Sequence, residues 1–316
     1  MFNHIPVLLN EAIEGLKIDK DGIYVDATLG GGGHSKKILE EIKDGSGVLI
    51  GIDQDEDAIN EVKKSLKEYI DSNKLLVVKN NFENIDEILD ELNIKKIDGI
   101  LYDLGVSSYQ FDEGERGFSY NQNAKLDMRM SKDNPLTCEI LVNTFSEDDI
   151  YHIIRDYGEE NFAKNIAKHI VRERENKKIE TTFELVGIIK SAIPAKLRWG
   201  DGREKNPAKR TFQAFRIYIN RELDVIDISL DKVIDRVNNG GRIAVITFNS
   251  LEDKLVKDKF RTFENPCTCP KNLSCVCGKK SKGRIINKKV IVATDVEIEN
   301  NRRSKPAKLR IFEKGE

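Results

Sequence analysis

The chain lacks most of the features that mark special protein classes. Only 7 of its 316 residues are proline, and 39% are apolar and 34% charged, so disorder is not expected. No 18-residue window is apolar and free of charge, which excludes a membrane-spanning helix. The first residues, MFNHIPVLLNEAIEGLKID, lack a basic stretch followed by a long apolar run. No secretory signal is therefore expected, and the cytoplasm follows by default. The five cysteines fit no secreted disulfide scaffold, because four of them are bunched late in the chain. Internal repeats and low-complexity tracts are absent. What remains is a chain long enough for one large or two modest domains with an ample core.

Charge is nearly balanced at −2 but unevenly spread. Residues 1–100 hold 12 Lys and Arg against 21 Asp and Glu, whereas residues 164–216 hold 14 against 6. Such asymmetry fits either a surface for a polyanion or a solvated helical face.

The first hundred residues alternate cleanly. Strand-like runs GIYVDATL, GVLIGID, KLLVV and IDGILYDLG are separated by amphipathic SKKILEEIK, DEDAINEVKKSLKEYI and FENIDEILDELN. That order predicts βαβ units and a parallel sheet with right-handed crossovers. The alternation stops after Asp103. Residues from about 112 to 211 read as helix and loop. From Phe212, the residues Phe212, Phe215, Ile219, Leu223, Ile226, Leu230, Val233 and Val237 form one apolar stripe, predicting a single long helix stopped by Gly240 and Gly241. Strand-like GRIAVITF, KVIVATD and KLRIFEK follow. The fold class expected is α/β, a doubly wound sheet interrupted by a helical insertion. Residues 1–111 and 212–316 would form the sheet domain and 112–211 the insertion, which would wall the crevice at the strand ends.

The run VDATLGGGGHS places four glycines, Gly30–Gly33, between the first strand and a helix. A P-loop is excluded, because Gly-x-x-x-x-Gly-Lys-Ser/Thr cannot be fitted. A dinucleotide Gly-x-Gly-x-x-Gly is disfavoured, because its third glycine falls on Ser35 or Lys36. The remaining reading is a nucleoside carrying an amino-acid tail. Asp26 could face the tail's ammonium, Asp53 could grip the ribose hydroxyls, and Phe82 could lie beside the adenine; S-adenosylmethionine fits this set. Asp103, at the carboxyl edge of the fourth strand, could accept a hydrogen bond from an exocyclic amine and stabilise developing positive charge during methyl transfer. The alternative is that Asp103 merely caps the next turn.

The segments HIPVLLNEAI, VDATLGGGGHS, ILYDLGVSSYQFDEGERGFSY, LDMRM, NPAKRTFQAFRIYINREL and FNSLEDKLVK, running in order from His4 to Lys257, closely resemble the RsmH (MraW) family. The resemblance implies a Rossmann-like S-adenosylmethionine-dependent methyltransferase whose sheet is split by an inserted helical substrate-recognition domain. Its product would be N4-methylcytidine in the decoding region of bacterial small-subunit (16S) ribosomal RNA, made on the RNA or on the small ribosomal subunit; the chain itself is expected as a monomer or homodimer, which the sequence does not decide. It implies cofactor contacts at Gly32, Gly33, His34, Asp53, Phe82, Asp103 and Gln110. One departure is visible. The family usually shows Phe-His-Ser-Leu-Glu-Asp where this chain has FNSLED, so Asn249 replaces a histidine and an obligatory histidine base there is disfavoured. A neutral amide can still orient a base edge or a phosphate.

REKNPAKRTFQAFR combines Arg203, Lys205, Lys209, Arg210 and Arg216 with Phe212 and Phe215. Cations grip phosphates and aromatics stack bases. The stripe, however, favours core packing for both phenylalanines. Lys209 and Arg210 oppose the dipole at a helix start, which argues for an RNA role. Trp199, the only tryptophan, lies in a basic loop, where it could stack on RNA or pin the loop. CTCPKNLSCVCG sets Cys267, Cys269, Cys275 and Cys277 close enough to hold a structural zinc, or leaves them as reduced surface thiols. Cys138 is isolated and expected to pack. The four histidines, His4, His34, His152 and His169, form no cluster. Two rival classes are a non-catalytic RNA-binding assembly factor, opposed by the intact Asp53, Asp103 and glycine turn, and a nucleotide-linked oxidoreductase, opposed by the missing third glycine.

Overall fold

The computed structural model describes residues 6–105, 116–197, 199–200, 203–204, 206–270 and 276–315. The described chain divides into two compact units, Met1–Gly105 with Leu223–Glu316, and Val106–Glu222.

The first unit begins with helix α1 (Leu9–Leu16) and then alternates. Strand β1 (Ile23–Asp26) leads to α2 (Gly33–Ile42), β2 (Val48–Asp53), α3 (Glu56–Ser65), α4 (Lys67–Asp71), β3 (Leu75–Lys79), α5 (Ile85–Glu91) and β4 (Ile97–Asp103). Asp55 caps α3 by accepting from the Asp57 amide, and Glu56 and Asp57 place negative charge in its first turn. Strands β1 to β4 pair in parallel in the order β3-β2-β1-β4. Their residues are apolar in both phases because both faces are covered. Val25, Ile50, Ile100 and Tyr102 enter one core, whereas Tyr24, Leu49 and Leu101 enter the other. Each fully buried leucine such as Leu101 contributes about 1.5–3 kcal/mol by leaving water.

The second unit is helical: α6 (Cys138–Thr144), α7 (Glu147–Gly158), α8 (Ala163–Asn176), α9 (Thr182–Ala192) and, after the two-residue strands β5 (Trp199–Gly200) and β6 (Arg203–Glu204), α10 (Ala208–Ile219). Ser146 with Asp149, and Thr181 with Glu184, form reciprocal capping boxes that fix the starts of α7 and α9. Cys138, Ile150, Ile154, Ile166, Ile170, Leu185, Ile189, Phe212 and Phe215 close its core.

The chain returns to the sheet through α11 (Glu222–Val233), β7 (Val237–Thr247), α12 (Ser250–Glu264), β8 (Gly283–Ile285), β9 (Ile291–Val292), α13 (Asp295–Asn300) and β10 (Lys308–Lys314). Strand β7 adds parallel to β4, β10 adds antiparallel to β7, and β8 and β9 pair with β10. Among the described residues, no helix is long and apolar enough to cross a membrane.

The single helix expected from Phe212 to Val237 is two helices and the start of a strand. The break falls at Asn220–Arg221, where Arg221 adopts φ 50°. Asn220 spends its side chain across the break, accepting from Met130 N at 2.7 Å and donating to Met128 O at 2.8 Å. The apolar stripe keeps its spacing through the break, so periodicity cannot reveal it. The divide between units accordingly falls at 222/223, later than 211/212, because α10 packs its stripe into the helical core. Gly240 and Gly241 do not stop a helix; they lie inside β7. There the register against β4 jumps from Ile97↔Val237 to Gly99↔Arg242, and a Cβ on Gly241 would sit 2.7 Å from Asp98 O. KVIVATD yields only the short β9, because Thr294 caps α13.

Candidate active site

The sheet order places β1 between β2 and β4, so the carboxyl ends of these three strands meet at the position where connections depart in opposite directions. Ligand crevices form there in open α/β sheets. Three carboxylates mark the site: Asp26 ends β1, Asp53 ends β2 and Asp103 ends β4.

The glycine turn between β1 and α2 is held from several sides. Gly32 N donates to Leu29 O at 2.8 Å, and Gly30 and Gly32 take φ 48° and 76°, a left-handed geometry that favours glycine. A side chain on Gly32 would press on Val62 and Leu66, and one on Gly33 would strike the Pro6 ring. Gly31 differs: a Cβ there would meet nothing within 4 Å. The turn is therefore packed from behind and open on one side, as bare backbone lying against a ligand requires.

Asp53 is built into this turn. Its Oδ2 accepts from Gly30 N at 2.8 Å, and its Oδ1 accepts from Asp55 N at 2.8 Å. Burial nevertheless raises its pKa to about 6, outweighing the two amides that favour the charged form. Asp26 is engaged more completely. It is 1% exposed, accepts from Ser35 Oγ at 2.6 Å and from Thr28 N at 3.2 Å, and burial pushes its pKa upward. Asp26 therefore braces the turn.

Asp103 is the carboxylate left open. Its backbone N donates to Thr28 Oγ1 at 2.7 Å, which ties β4 to the loop after β1. Its Oδ2 lies 3.5 Å from His34 Nδ1. Its Oδ1 is shielded from solvent and has no hydrogen-bond partner among the described residues. Burial raises its pKa to about 6; His34 opposes the rise and Asp26 adds to it. His34 Nε2 lies 3.0 Å from Val7 O, so that nitrogen carries a proton, since a carbonyl only accepts. Phe82 stands in the short 3-10 turn after β3, its ring edge-on to Tyr102 at 5.4 Å and only partly buried.

Three clustered carboxylates, two of them with pKa raised to about 6, form a site that gains stability from a cationic ligand. A sulfonium nucleoside with an ammonium tail is such a ligand. The open face at Gly31, the uncommitted Asp103 Oδ1 and the half-exposed Phe82 fit its parts. Gln110 lies outside the described residues. Thr28, Ser35, Pro6 and Val7 are additions to the expected set. Their only sequence signal is nearness to the glycine run and to the HIPV segment.

The other expected residues divide. In the helical unit, Lys209 is exposed on the first turn of α10. Arg210, also exposed, donates to Glu159 O at 3.0 Å, a carbonyl just past the end of α7. Arg216 makes a two-pronged pair with Glu222 at 2.8 and 2.9 Å and is occupied. Phe212 and Phe215 are core residues, as the stripe favours. The side chains of Arg203 and Trp199, and Lys205 altogether, fall outside the described residues. Asn249 caps α12: its Oδ1 accepts from Leu251 N and Glu252 N at 3.0 Å, and its Nδ2 donates to the buried Glu252. The cap engages the oxygen and one N–H of the amide. Cys267, Cys269 and Cys277 lie on the excursion between α12 and β8, and Cys275 is outside the described residues.

A sequence profile described as the MraW methylase family matches residues 1–315. The chain is 56% identical over 314 residues to "Ribosomal RNA small subunit methyltransferase H" of Lachnospira eligens, covering 99% of this chain and 98% of that protein. It is 54% identical over 317 residues to "Ribosomal RNA small subunit methyltransferase H 2" of Agathobacter rectalis, covering 100% and 99%. The protein of that first name from Clostridium botulinum strain Kyoto is 52% identical over 314 residues, covering 99% of both chains.

Proposed function

The chain belongs to the MraW methylase family, and we propose that the group it methylates is the N4 amine of a cytidine in the decoding region of small-subunit ribosomal RNA. It is an S-adenosylmethionine-dependent methyltransferase of that RNA. A cytoplasmic location follows from such a substrate.

When bound, S-adenosylmethionine supplies a methyl group on a positively charged sulfur. Asp53 and the Gly30–Gly33 turn hold the nucleoside end, with Asp53 already oriented by two backbone amides. Phe82 offers a partly exposed ring for the adenine. Asp103 acts on the incoming amine. An exocyclic amine that gains a methyl group must lose a proton, and the partly exposed Asp103 carboxylate accepts the hydrogen bond that aims the nitrogen and then the proton itself. A carboxylate with pKa near 6 is well matched to that transfer near neutral pH. His34 Nδ1 lies 3.5 Å from the other oxygen of Asp103.

The observation that carries this reading is the partly exposed Asp103 carboxylate at the tip of β4, one oxygen of which has no hydrogen-bond partner among the described residues. The helical unit is assigned to RNA recognition, on its basic stretch and the exposed Lys209. The target base would have to leave its stack to reach the site. The test is incubation of small subunits lacking the modification with isotopically labelled cofactor, followed by nucleoside mass spectrometry. Label in N4-methylcytidine supports the assignment; label in another nucleoside, or none, refutes it.

A further inference from the structure

The excursion that joins α12 to β8 plays no part in the site above. It is closed at its base by Lys282 N donating to Phe263 O at 2.8 Å, and by Lys282 Nζ on Asp235 at 3.0 Å. Between these ends its described residues form no core of their own. None of its described residues, 265–270 and 276–282, is buried, and Val276 is 89% exposed. A segment that buries nothing apolar cannot offset its ordering entropy and needs another source of order.

The sulfur atoms of Cys267, Cys269 and Cys277 all lie within 4.8 Å of one another. Thiolates around a tetrahedral zinc at ~2.3 Å stand about 3.8 Å apart, so small side-chain adjustments convert this cluster into a coordination set. Cys277 is followed by Gly278 at φ 64°, where a Cβ would meet nothing within 4 Å. That left-handed turn bends the chain sharply just after the sulfur. Lys279 and Lys280 follow, exposed, and their positive charge offsets that of clustered thiolates. Soft thiolate donors select zinc, copper(I) or iron–sulfur clusters, and zinc alone among these needs no redox partner or assembly step.

We propose that Cys267, Cys269 and Cys277 hold a structural zinc ion that orders the excursion between α12 and β8. Three thiolates define the site, and Cys275 lies outside the described residues. The ion forms no part of the methyl-transfer site; it replaces the missing core of the segment.

The full-length protein, purified under reducing conditions and dialysed against zinc chloride and then metal-free buffer, is expected to retain about one zinc per chain. Cys267→Ser/Cys269→Ser is expected to lose it. Cys138→Ala, at a thiol buried in the helical unit's core, is expected to keep it. Cobalt(II) loaded into the wild-type protein should give thiolate-to-metal charge-transfer absorption together with the visible bands of a tetrahedral site. Tryptic cleavage after Lys279 and Lys280 should slow on zinc loading in the wild-type chain and not in the double variant. Wild-type protein that retains no zinc and shows no thiolate–cobalt absorption overturns the proposal, as does a double variant that retains as much zinc as the wild type. If the double variant fails to fold, the wild-type cobalt spectrum decides.

Discussion

Replacing Asp103 by asparagine should abolish methyl transfer and yet stabilise the cofactor-free protein. Burial raises the Asp103 pKa from 3.8 to about 6, so at pH 8 the folded chain holds a carboxylate that would rather be neutral. A rise of that size makes the charged form costlier by about 3 kcal/mol, at about 1.4 kcal/mol for each tenfold loss of acidity. The side chain keeps 26% of its surface, so screening reduces this to about 1–2 kcal/mol. The sign follows from linkage. A raised carboxyl pKa contributes nothing unfavourable below the unfolded value near 4; the cost grows as pH rises and levels off above 6. Asparagine has the same shape and cannot ionise, so the variant escapes the cost. Its melting temperature at pH 8 should exceed that of the wild type, at about 2–4 °C per kcal/mol for a domain of this size. The gap should fall by about half at pH 5. Thermal unfolding of both proteins across that range, without cofactor, measures it. A variant less stable at both pH values, or a gap that does not change with pH, would refute the strained-carboxylate account.

The remaining predictions probe the other parts of the site. S-adenosylmethionine affinity, measured by calorimetry, should fall as pH drops through about 6, where Asp53 and Asp103 become neutral and lose their attraction for a cation; a flat profile from pH 5 to 8 would contradict this. Gly32→Ala, at φ 76° and with its new methyl pressed against Val62 and Leu66, should cost about 1–2 kcal/mol of stability and weaken cofactor binding. Lys209→Glu should weaken RNA binding and lower the salt slope by about 1–2 with cofactor affinity unchanged; an unaltered slope removes that residue from the RNA face. Asn249→Ala should lose about 1 kcal/mol of stability, through the missing cap on α12, with kcat near the wild-type value; a large loss of kcat in a stable variant would assign Asn249 to the substrate site as well.

Much of the site could be read from the chain because parallel strands announce their ends. VDATLGGGG, GID and LYDLG each close an apolar run with an acid, and the sheet brings those acids together at one edge. The divided chain was legible for a similar reason: alternation stops at Asp103 and resumes near Gly241. What stayed hidden depends on pairings distant in sequence. Thr28 supports Asp103 from 75 residues away, and Asp98 receives Asn238 from 140. The helix break at Asn220 was invisible because Leu223 and Ile226 continue the spacing of Phe215 and Ile219, although Ile226 belongs to a different core. Asp26 and Asp53 both read from the sequence as acids that face the ligand. Only packing separates the one locked on Ser35 from the one aligned by the turn amides.

The central claim is that a methyl-sulfonium nucleoside rests on the Gly30–Gly33 turn with Asp103 at its reactive end. A crystal structure of the protein with S-adenosylhomocysteine tests it most directly. The account predicts density along the open face of Gly31, with the ribose hydroxyls on Asp53 and the sulfur on the Asp103 side. Ligand density at any other edge of the sheet, or a ribose with no contact to Asp53, would contradict it.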